Sequence, residues 1–317
     1  MKYLIALISL LALSGCYSTH ELQSAYIQHN KRFAKHHPFR VHRVPRDGYA
    51  LYAREFNPEL KGKAPTILLM HGFPDSGHLY DALIPYLGHN RVITFDFLGW
   101  GDSDKPKDHR YTSKSLYRDI EAIDRYFKLD NVIVVVHDAS GPPGIDWAVA
   151  HPSKVNTLVL LNTFYSPMKA LKAPDAIARF STPGFYRDMS VFFTKHFDTF
   201  WIDGYSTQVK HFITNEARKE HYTKVLTYGS MGIRPAFYDL NSVLIEETHA
   251  RARNLPKLKA FAKPVKIIFG AKDKALNVGV AKAFAEIFPN ATLTLVKEGG
   301  HYVQIDAPKA VAEAMLK

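Results

Sequence analysis

Short apolar runs punctuate the chain from about residue 39, and most stop at a small or polar turn. "FRVHRVP" and "YALYARE" alternate apolar with polar positions, which predicts a half-exposed antiparallel hairpin. "APTILLMHG", "NRVITFDFLGWG", "NVIVVVHD" and "VNTLVLLNTF" are continuous apolar runs, the form of strands buried on both faces. Two more follow late in the chain, "PVKIIFGAKD" and "ATLTLVKEGGH". Between these runs, "SKSLYRDIEAIDRYFKL", "GIDWAVAHP", "GVAKAFAEIF" and "APKAVAEAML" carry helical spacing. Strands alternating with helices predict an α/β fold with a mostly parallel, doubly wound sheet. Residues 165–261 break the alternation: they are rich in aromatics, poor in strand runs and hold several helical stretches. They read as a helical cap inserted in the core, which then comprises residues 39–164 and 262–317.

The N-terminus follows a different pattern. Lys2 precedes the apolar run "YLIALISLLAL", which is shorter than the ~20 residues that cross a bilayer and suits a signal peptide. The run ends in "LSGC", which resembles the lipobox of bacterial lipoproteins. That resemblance implies a signal over residues 1–15, cleavage before Cys16, and lipid on the Cys16 sulfur and its new amino group. Cys16 is the chain's sole cysteine, so no internal disulfide can form. Tyr17, rather than Asp, after the cysteine resembles lipoproteins forwarded to the outer membrane. The expected setting is therefore the bacterial cell envelope, with the membrane as partner through the lipid anchor. Residues 16–38 are polar and rich in His and Lys, and read as a tether or short helix. The net charge of +11 is scattered along the chain and accompanies no nucleic-acid-binding module, so nucleic acid is not an expected partner.

In an open parallel sheet, ligands bind beyond the carboxyl ends of the strands. The residues delivered there are "HGFPDS", "FDFLGWGDSDKP", "HDASG", "FGAKD" and "EGGHYVQIDAP". They supply a nucleophile, then an acid at Asp273, then a histidine at His301. This order, with "HGFP", "GWGDSDKP", "GAKD" and "GHYVQIDAP", resembles the α/β-hydrolase superfamily over residues 39–317. The turn "VVVHDASGPPG" offers two nucleophiles, Asp138 and Ser140. A serine elbow needs small residues two before and two after the nucleophile. Centred on Ser140, the second of these is Pro142, which fits a tight strand-to-helix turn poorly. Centred on Asp138, it is Ser140, and the strand ends naturally at His137. The stretch then resembles the "HDWG" elbow of epoxide hydrolases and haloalkane dehalogenases. That resemblance implies an Asp138 nucleophile that forms an ester with the substrate's alkyl group. It implies His301 as the activator of water, with Asp273 orienting it, and the backbone N–H groups of Phe73 and Ala139 as an oxyanion hole. His71 and His137 are expected to support loops and Asp96 to brace a turn. No metal-ligand spacing stands out among the histidines, and no cofactor is implied.

The two carboxylate-nucleophile families handle the leaving group differently. The dehalogenase pattern places Trp after the nucleophile and often Asn after "HG"; here these positions are Ala139 and Phe73, and neither side chain donates. "HGFP" is typical of epoxide hydrolases, which supply two cap tyrosines to the epoxide oxygen. Tyr186 in "TPGFYRD" and Tyr238 in "RPAFYDLN" match those positions. Ala139 departs from both families, which usually carry Trp there. The sequence thus points to a hydrolase of small hydrophobic epoxides. Dehalogenation, an esterase or lactonase activity through Asp138 or Ser140, and a non-catalytic surface lipoprotein stay open as alternatives.

Overall fold

The computed structural model of the protein describes residues 17–317. The signal peptide and the Cys16 lipidation site expected from the sequence lie outside these described residues.

Eight strands form one sheet in the order β1-β2-β4-β3-β5-β6-β7-β8. β1 (Arg40–Arg46) and β2 (Tyr49–Phe56) pair antiparallel, as their alternation requires, and β2 joins β4 (Val92–Phe95) antiparallel. From β4 onward every pairing is parallel, through β3 (Thr66–Met70), β5 (Val132–Asp138), β6 (Val155–Thr163), β7 (Val265–Gly270) and β8 (Ala291–Val296). β3 is buried along its whole length because helices cover both faces of a doubly wound sheet. The edge strand β8 is mostly exposed, its Leu293 and Leu295 included, unlike the doubly buried strand that its apolar run suggested, because no strand pairs beyond it.

The crossovers are the helices that the spacing predicts. The first described helix is α1 (Thr19–His36), followed by α2 (Ser113–Phe127) and α3 (Gly141–Ala150). Thr112 caps α2 by accepting the Ser115 N–H, and Lys128 ends it in a left-handed conformation. Helices α4 (Asp175–Ser181), α5 (Phe185–His196), α6 (Asp198–Phe212), α7 (Glu216–Gly229), α8 (Arg234–Ala250) and α9 (Leu255–Lys259) lie between β6 and β7. The chain closes with α10 (Val278–Ile287), the short α11 (Val303–Asp306) and α12 (Pro308–Leu316).

Of the two readings of residues 16–38, a tether or a short helix, the described part takes the second: 19–36 form α1, which packs along α7. Leu22, His29 and Phe33 are buried along α1. His29 Nε2 lies 2.8 Å from the buried Asp81 carboxylate, and Tyr26 Oη lies 3.0 Å from His78. The buried face of this polar helix is partly histidine.

Candidate active site

The turn between β5 and α3 holds the two nucleophile candidates in different environments. Asp138 sits at φ +48°, in the left-handed region that a non-glycine residue adopts at a cost of about 1–3 kcal/mol. Its neighbours enforce this. Thr163 Oγ1 donates to the Asp138 carbonyl at 2.6 Å, and the Ser140 N–H donates to the His137 carbonyl at 3.1 Å. Gly141 must lack a side chain, since a Cβ there would lie 1.8 Å from Thr163 Oγ1. Ser140 is fully buried, and its hydroxyl is consumed by the turn. Its Oγ accepts the His137 N–H at 2.9 Å and faces the Met70 carbonyl at 2.9 Å. Pro142 and Pro143 fall in the first turn of α3, where a missing N–H leaves no helical bond unmade. Pro142 therefore does not exclude a serine elbow, contrary to the sequence argument. The strained backbone of Asp138 and the buried hydroxyl of Ser140 are what separate the two residues. We expect Ser140→Ala to keep activity while losing about 1–3 kcal/mol of stability, as a buried N–H loses its acceptor. Turnover and denaturant unfolding measured on the same preparation check this.

The Asp138 carboxylate faces donors from two loops. The Phe73 N–H, after β3, reaches Asp138 Oδ2 at 3.1 Å, and the Ala139 N–H also bonds to the carboxylate. These are the two amides expected from the sequence. Burial pushes the Asp138 carboxyl upward, opposed by the His301 charge and by both amides. His301, in the loop after β8, lies with Nδ1 2.8 Å from Asp273 Oδ2. Burial disfavours its cation, yet Asp273, Asp138 and Asp75 together push it up to about 9. Asp273, after β7, accepts the Ala275 and Leu276 N–H groups at 2.9 and 3.1 Å. Burial works against its charge too, but His301, the Ala275 N–H and the Asn162 amide hold its carboxyl below the ordinary range.

Two functional features escape the sequence reading. Asn162, at the end of β6 with φ +26°, donates to Asp273 Oδ2 at 3.0 Å and accepts the Gly270 N–H at 2.8 Å. It ties the acid to its strand. The signal was available: an asparagine near the end of the apolar run "VNTLVLLNTF". The second is Asp75, which accepts the hydroxyls of Tyr205 at 2.5 Å and Tyr302 at 3.1 Å. Burial, first, raises its carboxyl to about 6.

The supporting residues sit where expected. His71 Nε2 accepts the Phe97 N–H at 3.2 Å, and His137 Nε2 lies 3.0 Å from the His301 carbonyl. Asp96 accepts the Gly77 and Asp102 N–H groups at 2.7 and 2.8 Å.

Asp138 and His301 line one cavity of about 340 Å³, with Phe73 and Ala139 beside them. Its remaining wall is largely apolar, from Met168, Leu171, Phe212, Phe237, Leu240 and Leu244 among others. The two tyrosines expected to face the nucleophile do not line it. Tyr186 is 81 % exposed on α5. The Tyr238 hydroxyl donates to Thr194 Oγ1 at 2.7 Å, and its ring stacks on Phe180. The cause is the packing of α8 against α5, which takes Tyr238 into the helical layer. Among the described residues, His29, His78 and Asp81 form the group that could gather round a metal ion, and hydrogen bonds already engage it.

The chain matches the family profile of the alpha/beta hydrolase fold over residues 65–308. A haloalkane dehalogenase of Sphingobium indicum is 26% identical over 274 residues, covering 80% of this chain and 88% of its own. A cis-3-alkyl-4-alkyloxetan-2-one decarboxylase of Shewanella oneidensis is 28% identical over 292 residues, covering 86% of each. The crystal structure of a bromoperoxidase from Bacillus anthracis superposes with a TM-score of 0.69 at 21% identity, covering 88% of this chain and 98% of its own.

Proposed function

The chain belongs to the alpha/beta hydrolase family, and on that premise we propose that it hydrolyses lipophilic epoxides through a covalent ester on Asp138. The observation that carries the reading is the pairing, in one largely apolar cavity, of a carboxylate on a strained turn with a histidine held by a second carboxylate. The Asp138 carboxylate attacks an epoxide carbon, the ring C–O bond breaks, and the ester forms. The new alkoxide needs a proton. Tyr186 and Tyr238 are turned away, and His301, pushed up to about 9, is cationic at neutral pH and supplies the proton instead. Alkylation also neutralises Asp138 and so removes one of the charges that hold the His301 proton. Neutral His301 then takes a proton from water as that water attacks the ester carbonyl, whose oxyanion meets the Phe73 and Ala139 amides. Collapse returns the Asp138 carboxylate, the diol and the His301 cation.

The absence of side-chain donors at Phe73 and Ala139 weighs against halide as leaving group. One relative favours a second reading: the oxetanone of the Shewanella protein's name is also a strained oxygen ring, there bearing two alkyl groups. A single turnover in ¹⁸O-water with excess enzyme tests the proposal. The label should enter the peptide that holds Asp138 and be missing from the first diol. Label in that first diol would mean direct attack by water and would sink the Asp138 ester. A panel of terminal epoxides, alkyl oxetanones and chloroalkanes separates the electrophiles.

A further inference from the structure

Helix α5 buries none of its residues. Instead it presents Phe185, Tyr186, Met189 and Phe192 to solvent, and Phe197 and Phe200 continue the exposed face onto the start of α6. Phe185 is 72 % exposed and Phe192 51 % exposed. Scattered apolar residues need no explanation, but a contiguous aromatic face does. Rings of Phe193, Phe197 and Phe200 pack on one another, so the face is preformed rather than a set of loose side chains.

Two further observations say what covers it. First, Tyr186, Met189 and Phe200 border a depression that also touches Gln208 and Phe237, and these two residues line the Asp138 cavity as well. The exposed aromatics therefore rim an approach to the site. A second protein seated there would cap that approach, whereas hydrocarbon would leave it continuous with apolar solutes. Second, Tyr17 is buried against Ile202 of α6, and Lys210 of α6 lies over its ring at 4.5 Å. The residue next to Cys16 is thus docked on the same helix whose first turn carries Phe197 and Phe200. The net charge of +11 suits an anionic lipid surface.

We propose that the exposed aromatic face of α5 and the first turn of α6 lies in the headgroup–acyl boundary of an anionic lipid bilayer, so that the cavity draws its lipophilic substrate from the membrane. The geometry is that of an interfacial helix, with aromatic side chains in the boundary and Lys195 and His196 at its last turn. Delivery of substrate rests on the reaction proposed above; the docking itself does not.

The test uses the full chain reconstituted into vesicles of phosphatidylethanolamine and phosphatidylglycerol with brominated acyl chains. A Phe192→Trp variant reports the depth of α5, and Tyr126→Trp on α2 serves as the solvent-side control, each read against the parent's own tryptophans. The α5 probe should be quenched about twofold and the α2 probe left unquenched. Phe185→Ser with Phe192→Ser should abolish quenching of a Trp placed at Met189. The same pair should lower turnover of a vesicle-borne epoxide about tenfold and leave a water-soluble epoxide unaffected. Asp138→Asn should dock as the parent does, so a failure of the catalytic reading leaves the docking result readable. An unquenched α5 probe overturns the proposal. So does a dimer, seen by sedimentation, that the Phe185→Ser and Phe192→Ser pair dissolves, since the face would then belong to a second copy.

Discussion

A His301→Gln variant incubated with an epoxide should accumulate substrate mass on the peptide holding Asp138, while steady-state turnover falls about 10³-fold or more. The two halves of the proposed reaction ask different things of the ring. The second needs a base to activate water, and glutamine supplies none, so the ester outlives the assay. The first needs only the carboxylate and a proton for the alkoxide. Without His301 that proton comes from solvent, so alkylation slows but is not abolished. Intact-protein mass spectrometry followed by peptide mapping reads the result. An adduct on a fragment carrying Ser140 without Asp138 would overturn the assignment, as would the absence of any adduct with every epoxide tried. The pH profile separates the electrophiles. His301 is pushed up to about 9, mainly by Asp273 against the cost of burial. With an epoxide, the alkylation rate should fall as pH rises through that value, because the proton donor is lost. With a haloalkane the leaving group needs no proton, and alkylation should persist above it.

The strand ends were legible because burial on both faces leaves an unbroken apolar run, and the residue after the run has to be where the chemistry is. Asp138, Asp273, His301 and the Phe73 amide follow from that rule; Asp138, Phe73 and His301 meet round one cavity, and Asp273 stands behind His301. The cap tyrosines were not legible, since position after an aromatic says nothing about which face of α5 or α8 a ring occupies. Tyr238 turns to Thr194 because α5 lies beside it, and Tyr186 meets solvent because α5 has nothing above it. Pro142 misled for a related reason. A proline looks wrong in a tight turn, but the helix begins at Gly141, three residues before the Gly144 start that the helical spacing indicated. Helix α1 was only half legible, with a tether as the other reading: His29 shares its buried face with Leu22 and Phe33, and histidine carries no periodic apolar signal.

That histidine contact supplies the second large effect. Replacing Asp81 by Leu should destabilise the fold by about 3–5 kcal/mol, a large part of the 5–15 kcal/mol typical of a domain. Asp81 is buried, and Oδ1 lies 2.9 Å from Arg54 Nη2. Oδ2 holds His29 Nε2 at 2.8 Å and His78 Nδ1 at 2.7 Å. Arg54 is itself buried, its guanidinium over the rings of Phe33, Phe39 and Phe56. Removing the carboxylate leaves a cation in that apolar setting with its main counter-charge gone. Changing Arg54 to Met in the same chain removes the stranded charge and should recover most of the loss. Denaturant unfolding of the two single variants and the double variant forms the cycle, and additive losses would refute the coupling. The pH dependence has a definite sign. Burial opposes ionisation of Asp81, but Arg54 and His78 hold its carboxyl far below the ordinary carboxylate range. Its contribution is therefore complete above the unfolded-state value near ~4 and is lost as pH falls below it. The stabilities of wild type and Asp81→Leu should converge on acidification. Amide exchange in α1 should rise in the variant at neutral pH, because His29 loses the acceptor that fastens that helix to the core.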